Sequence, residues 1–368
     1  MSPALRTIGF PRESTPGDRR TILTPEVAAG LRAAGFRLVA EAGLGAGVFI
    51  DDQAYRAAGV EMAGEERVWG CPLVLRYKAT DPGDLDRLRP GQGIAGIFHA
   101  QGDPRLLQAL RRSRVRAWSY EFIGEGGRRC LTGPGGQIAG VQAVLLGAHH
   151  LQSPSGGRGV LLGGGGGAAA GTVLVIGSGN AGAAAARTAA ALGARVAVLT
   201  RTAASRAAYA RAAPEGVRVL VNEPATLRAC LAEADLVIGA IRDSTFGTPA
   251  MIGEQDLVLM RPGSVIVDVT CGYGPGYLPT AGPVQRVGEP PRRVRGVLHI
   301  KLAVLPSLVP VTAVEAYTRV AAPYLLRLAR VALLGARDVA IDSALIARDG
   351  ALVHPVLVEH AAHYGLSS

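Results

Sequence analysis

Short apolar runs alternate with amphipathic stretches along the first 120 residues. "LRTIGF", "FRLVAEAG", "PLVLRYK", "QGIAGIFHA" and "VRAWSYEFI" predict strands, whereas "TPEVAAGLRAAG" and "DPRLLQALRRS" repeat apolar residues at helical spacing. Thr24 directly before Pro25 predicts a helix start, because the hydroxyl accepts from a first-turn amide and proline needs no partner there. "IAGVQAVLLGAHH", from about Ile138 to His150, predicts a helix, and the glycine-rich "SPSGGRGVLLGGGGGAAAG" after it reads as a connection at a domain boundary. The alternation then resumes over residues 172 to 300, with "TVLVIG", "RVAVLT", "RVLV", "DLVIGAI", "SVIVDV" and "GVLHI" as strands. "TAVEAYTRVAAPYLLRLARVALLG" is long enough for a helix crossing between domains, and the C-terminal segment is expected to return to the first one. Strands that alternate with helices build mostly parallel sheets, so the pattern predicts an α/β chain with two such sheets.

Composition narrows this picture. A chain of 368 residues with 48% apolar content exceeds what one core usually serves. No stretch keeps about 18 uncharged apolar residues without a glycine break, and the N-terminus lacks a basic flank before an apolar run. A cytoplasmic protein with no membrane partner is therefore expected. Cys71, Cys130, Cys230 and Cys271 are scattered without a CxxC pair, which fits a reducing compartment and predicts neither a disulfide framework nor a metal site. The formal charge is +10, but no basic run interleaves with aromatic residues, so nucleic acid is not an expected partner. More telling is that only two of the 39 basic residues are lysine, Lys78 and Lys301. A position that keeps lysine in an arginine-rich chain can need a compact ammonium that shifts its pKa or gives up its proton.

The most specific motif is "TVLVIGSGNAGAAAARTAAALGARVAVLTR". Gly177, Gly179 and Gly182 form G-x-G-x-x-G between a strand and a helix, with Asn180 and Ala181 inside the motif. Glycine there permits the tight turn, backbone approach to a pyrophosphate, and close helix–strand packing, while the helix N-terminus faces the phosphate charge. Ala240, in "DLVIGAI", joins this set of expected cofactor-binding residues. NAD sites usually carry Asp or Glu at the end of the second strand; this chain has Thr200, Arg201 and Thr202. No carboxylate repels a 2′-phosphate, and Arg201 can donate to one, so NADP(H) is the expected cofactor and NAD(H) a possible one. The expected fold is thus α/β with two Rossmann-like domains and parallel sheets, joined by long helices around a central cleft. Residues 1–137 and 312–368 would form the substrate domain and 138–311 the dinucleotide-binding domain.

The ordered strings "RRTILTPE", "VAEAGLGAGVFIDDQAYRAAGV", "LRYK", "IFHA", "YEFI", "GGRGVLLGG" and "LMRPGSVIVDV" resemble the alanine dehydrogenase and transhydrogenase alpha-subunit family. "PGDRR", "IDDQAY" and "GSGN" followed by "TRT" resemble its opine-forming branch, carboxyethylornithine synthase, more closely. The resemblance places the family's substrate-binding arginine on Arg20, its lysine on Lys78 and its histidine on His99, whereas Arg76 reads as an exposed strand residue. Arg20 would hold an α-carboxylate, Lys78 would polarise the adjacent oxygen, and His99 would carry protons in work worth about 10²-fold to 10⁴-fold.

One departure stands out. Where the family typically has a catalytic aspartate, four positions past the strand-end Asp268, this chain has Gly272, with Cys271, Tyr273, Tyr277 and Lys301 nearby and Asp268 as a substitute carboxylate. Gly135 and Gly136 also replace a small polar residue before the linker helix. The leading expectation is an NADPH-dependent oxidoreductase reducing an imine of an α-keto acid and an amine, giving an amino acid or N-carboxyalkyl amino acid. The alternatives are an NAD-dependent alanine-type dehydrogenase, a redox-neutral NAD-cycling enzyme, or a non-catalytic dinucleotide-binding module. Keto acids, amino acids or amines are the expected small-molecule partners, and a homo-oligomer the expected assembly.

Overall fold

The computed structural model describes residues 6–241, 250–270, 277–302 and 304–366. The chain divides into two compact units, Met1–Pro134 with Val309–Ser368, and Gly135–Leu308. In chain order the first unit contributes β1 (Thr7–Phe10), β2 (Arg37–Glu41), β3 (Glu61–Ala63), β4 (Leu73–Lys78), β5 (Gly93–Ile97), β6 (Arg116–Ser119), β7 (Gly124–Glu125) and β8 (Arg128–Arg129). The second contributes β9 (Thr172–Ile176), β10 (Arg195–Thr200), β11 (Arg218–Val221), β12 (Leu236–Gly239), β13 (Val265–Asp268), β14 (Arg292–Val294) and β15 (Val297–Ile300). The chain then returns to the first unit with β16 (Leu345–Arg348) and β17 (Ala351–Leu352).

Each unit has its own sheet. The first runs β17-β16-β6-β5-β4-β1-β2-β3, parallel from β6 through β3 with an antiparallel edge at β16 and β17. The second runs β11-β10-β9-β12-β13-β15-β14 and is parallel apart from β14. Its order places β9, which precedes the glycine motif, between β10 and β12. Every residue of β4 is buried, as are all of β9, β12 and β13, which explains why β9, β12 and β13 read as nearly continuous apolar runs instead of alternating ones. Helix Pro25–Ala33 starts as its sequence predicts, with the Thr24 hydroxyl accepting from the Val27 amide. No helix among the described residues is long and apolar enough to cross a membrane.

Three sequence expectations change. The strand expected through "YEFI" stops at Ser119, and Tyr120–Phe122 turn into a short 3-10 segment that aims Glu121 back at the end of β5. The helix expected from Ile138 begins at Gly133, with Pro134 in a first turn where its missing N–H costs little. The glycine-rich connection lies inside the second unit: Leu162 is buried in that unit's core, and a Cβ at Gly163 would stand 2.4 Å from the Leu192 carbonyl oxygen.

A close approach explains one glycine that pattern reading passed over. A Cβ at Gly140, in the helix Gly133–His150, would lie 2.0 Å from the Ala181 carbonyl oxygen at the start of the helix after the glycine motif. Both partners are backbone, so neither yields as a flexible side chain would. Gly140→Ala should lower the unfolding free energy by about 1–3 kcal/mol. A denaturant titration reads this as an earlier midpoint, and an unchanged midpoint would show that the two helices separate at little cost.

Candidate functional site

In the first unit the candidate side chains Lys78 and His99 lie at the carboxyl ends of β4 and β5, where ligands of open α/β sheets bind. Lys78 is the last residue of β4 and stands opposite Ile97, the last of β5, so His99 follows two residues past that pairing. Lys78 is buried, 5% exposed. Arg76 corrects the sequence reading: it is 1% exposed, not a surface residue. Its guanidinium pairs with the carboxylates of Asp84 and Glu13 and donates to the Arg12 carbonyl at 3.2 Å, and these partners make its burial tolerable.

Glu13 holds the end of β4 in place. Its carboxylate accepts the backbone N–H groups of Tyr77 at 2.9 Å and Lys78 at 3.1 Å. Burial pushes its carboxyl up to about 7 despite the opposing charge of Arg76. Arg20 is oriented just as firmly. Asp18 accepts from its Nε at 2.8 Å and its Nη2 at 2.5 Å, and the guanidinium lies 4.2 Å from the centre of the Tyr77 ring. Burial acts to raise the Asp18 carboxyl, but hydrogen bonding and charge from Arg20, with a further contribution from Lys78, hold it below the usual range. Arg20, Asp18 and Lys78 therefore share one electrostatic environment. Glu13, Asp18 and Arg20 also line a cavity of about 380 Å3 whose other walls include Glu41, Trp69 and Arg87.

His99 sits in the left-handed region, φ 49°, which is uncommon for any residue but glycine and costs on the order of 1–3 kcal/mol. Glu121 holds it there. One carboxylate oxygen accepts the N–H groups of Phe98 at 3.1 Å and His99 at 2.8 Å and the Ser119 hydroxyl at 2.8 Å; the other meets His99 Nδ1 at 2.7 Å. Burial alone would raise the Glu121 carboxyl, yet the His99 charge and these hydrogen bonds outweigh it and bring it down to about 2. A carboxylate on Nδ1 fixes the ring's orientation and leaves Nε2 for other chemistry.

The second unit carries the glycine motif as its sequence placed it. Gly177, φ 105°, opens the turn after β9, and a Cβ there would stand 2.6 Å from the Ala240 carbonyl oxygen. At Gly182 a Cβ would lie 1.9 Å from the Gly177 oxygen, whereas nothing lies within 4 Å of one at Gly179. Gly179 caps the following helix without a side chain, and Asn180 and Ala181 form its first turn. Two positions are sterically closed to anything but glycine and the third opens onto free space, which suits a pyrophosphate at the helix N-terminus. Of the residues after β10, Thr200 is buried with its hydroxyl on the Leu220 carbonyl at 3.1 Å, and the Thr202 hydroxyl accepts from the Ser205 amide at 3.1 Å to cap the next helix. Both hydroxyls serve the local fold, and Arg201 is exposed between them. Asp268 and Lys301 are buried and paired at 3.1 Å. Gly272, Cys271 and Tyr273 lie outside the described residues. Among the described residues no group of three or more His, Cys, Asp or Glu side chains could hold a metal ion.

Sequence reading singled out Arg20, Lys78 and His99 but missed the carboxylates that orient them: Asp18 for Arg20, Glu13 for the peptide before Lys78, and Glu121 for His99. Asp18 lies two residues from its partner; Glu13 and Glu121 meet theirs only through sheet order.

Family models for the alanine dehydrogenase/PNT N-terminal and C-terminal domains match residues 9–132 and 143–355. The alanine dehydrogenase of Bacillus subtilis (strain 168) is 34% identical over 323 residues, covering 88% of this chain and 85% of that protein. Alanine dehydrogenase 2 of Staphylococcus aureus (strain USA300) is 31% identical over 324 residues, covering 88% of this chain and 87% of its own. The solved structure of an L-alanine dehydrogenase superposes with a TM-score of 0.88 at 31% identity, covering 98% of this chain and 100% of that one.

The raised Glu13 carboxyl gives a pH prediction. A folded-state value near 7 against an ordinary 4.5 means that Glu13 contributes stability below about pH 4.5 and loses it as pH rises through about 7. Glu13→Gln keeps a neutral side chain at every pH. The melting temperature of the native protein should therefore fall, relative to that of the variant, between pH 5 and pH 8; a constant difference would show that Glu13 is ionised throughout.

Proposed function

The chain belongs to the alanine dehydrogenase/PNT family, and we propose that it is a pyridine-nucleotide-dependent amino-acid dehydrogenase that interconverts an α-keto acid plus an amine with the corresponding amino acid. The observation that carries the reading is the set of three positioned groups at one sheet edge: Arg20 fixed by Asp18 and Tyr77, Lys78 at the end of β4, and His99 fixed by Glu121.

Each group has a distinct task. Arg20 holds the substrate α-carboxylate through the guanidinium N–H groups that Asp18 does not occupy. Lys78 donates to the adjacent carbonyl oxygen, drawing electrons from the carbon as the amine adds. His99 Nε2 takes a proton from the incoming amine and returns one as the hydroxyl of the carbinolamine leaves as water, giving the imine. A reduced nicotinamide, when bound, would supply the hydride that converts the N-protonated imine into the amino acid. In reverse, His99 activates the water that hydrolyses the imine. The glycine motif of the second unit would hold the dinucleotide, with its pyrophosphate over Gly179.

Two residues favour a narrower reading, with NADPH as the cofactor. Thr200 stands where a ribose-binding carboxylate would repel a 2′-phosphate, and Arg201 is exposed beside it. On this reading NADPH binds at least about tenfold more tightly than NADH, and Arg201→Asp moves the preference toward NADH. Equal affinities in the native protein, measured by fluorescence titration, would remove the NADP assignment and leave the alanine-type enzyme using NAD(H).

Lys78 provides the test of the chemistry. A guanidinium is broader than an ammonium and keeps its proton above about pH 12, so Lys78→Arg should behave nearly like Lys78→Met. Both should lose on the order of 10²-fold or more in kcat/KM with dinucleotide affinity little changed. Near-native turnover by Lys78→Arg would reduce the lysine to a generic positive charge. His99→Ala should lose a similar factor and flatten the pH–rate profile, since it removes a proton carrier and not a fixed charge.

A further inference from the structure

A second polar network, unused by the chemistry above, lies at the carboxyl ends of β12, β13 and β15 in the second unit. It is organised around Ile241, which follows Ala240 out of β12. The Ile241 N–H donates to the Tyr277 hydroxyl at 3.3 Å, and the Thr270 hydroxyl donates to the Ile241 carbonyl at 2.9 Å. The two hydroxyls stand 2.8 Å apart. With the Thr270 proton on the Ile241 carbonyl, the Tyr277 hydroxyl has Thr270 at 2.8 Å and, farther off, the Asp268 carboxylate at 3.5 Å as acceptors, and the three residues close a ring of contacts around one backbone unit. Asp268 anchors the ring by accepting the Thr270 N–H at 2.9 Å, and Lys301, the second of the chain's two lysines, neutralises Asp268 at 3.1 Å. Lys301 is itself fixed, its backbone N–H donating to the Gln285 side chain at 2.8 Å and its carbonyl accepting the Gln285 N–H at 2.7 Å.

The location gives the network its significance. Ala240 is the residue whose carbonyl oxygen closes over Gly177, the first glycine of the dinucleotide motif. Tyr277 also packs on Gly239, the last residue of β12, where a Cβ would stand 2.7 Å from its hydroxyl oxygen. The peptide that bounds the phosphate loop is thus held on one side by β9, through the Ala240 N–H on the Ile176 carbonyl at 2.8 Å, and on the other by the Tyr277–Thr270 ring. An exit loop with unpaired backbone groups would be free to move against Gly177. Here both polar groups of the residue next to Ala240 are taken by side chains on other segments.

We propose that Thr270 and Tyr277, anchored by the Asp268–Lys301 pair, are positioning residues for the dinucleotide site: they hold the Ala240–Ile241 peptide against Gly177 and so set cofactor affinity. This also assigns Lys301 a role, and it gives Asp268 a structural task in place of the catalytic one considered from sequence. The inference rests on the reading of the glycine motif as a dinucleotide site.

Equilibrium binding of NADPH and NADH, read by fluorescence titration on the whole protein, tests it without knowledge of the amine. Thr270→Val is isosteric and removes the ring's link to the Ile241 carbonyl; Tyr277→Phe removes the acceptor for its N–H. Each leaves one buried backbone group unpaired, so each should weaken binding of the preferred dinucleotide on the order of tenfold. Thr270→Ser keeps the hydroxyl and should restore native affinity. The melting temperature without cofactor should fall modestly in Thr270→Val and Tyr277→Phe, and the rise produced by saturating dinucleotide should shrink in addition. Native affinity in both of these variants would overturn the proposal, and so would a lowered melting temperature with no change in affinity, which marks a merely structural role. If Tyr277→Phe does not fold, Thr270→Val and Thr270→Ser decide. Failure of the native protein to bind either dinucleotide would overturn the reading of the motif, and this inference with it.

Discussion

Two buried carboxylates hold the strand ends on which the first unit's site is built. Parallel pairing brings the ends of β4 and β5 side by side, and the N–H groups there are accepted by Glu13, for Tyr77 and Lys78, and by Glu121, for Phe98 and His99. Without those acceptors the peptides would lie buried with unmet donors, each costing about 1–3 kcal/mol. With them, Lys78 is delivered at the end of its strand and His99 is kept in a backbone conformation it would not choose. The same carboxylates then act on side chains, Glu13 on Arg76 and Glu121 on the His99 ring.

The second unit repeats the device. Asp268, at the end of β13, accepts the Thr270 N–H and steadies the hydroxyls that hold the exit of β12. In each unit an acidic side chain near a strand end turns a parallel sheet's free edge into a fixed surface, and a basic side chain makes that buried acid tolerable: Arg76 beside Glu13, Lys301 beside Asp268. The two lysines thus stand at comparable places, each at or just past the carboxyl end of a buried parallel strand.

Hydrophobic periodicity made the α/β architecture legible, because buried parallel strands are continuous apolar runs and the helices between them repeat at their own period. The glycine motif was legible for a steric reason: Gly177 and Gly182 are closed to any side chain. The scarcity of lysine pointed to Lys78. What stayed hidden depended on contacts between distant segments. Arg76 looked like a surface arginine because its partners, Glu13 and Asp84, arrive from other segments. Glu121 looked like a strand residue because local pattern does not reveal a chain that turns to cap the neighbouring strand. The edge strands β16 and β17 are short and weakly patterned, and only the sheet they complete distinguishes them from loops.

The central claim is that a keto acid's carboxylate rests on Arg20 while the dinucleotide is held independently by the second unit. The most direct measurement follows oxidation of NADPH and NADH at 340 nm with a panel of α-keto acids and amines, ammonia included, comparing the native protein with Arg20→Met. The account predicts keto-acid-dependent and amine-dependent oxidation by the native protein, reduced at least about 10²-fold in the variant, with dinucleotide affinity unchanged. Native rates in Arg20→Met, or no oxidation by the native protein across the panel, would contradict it.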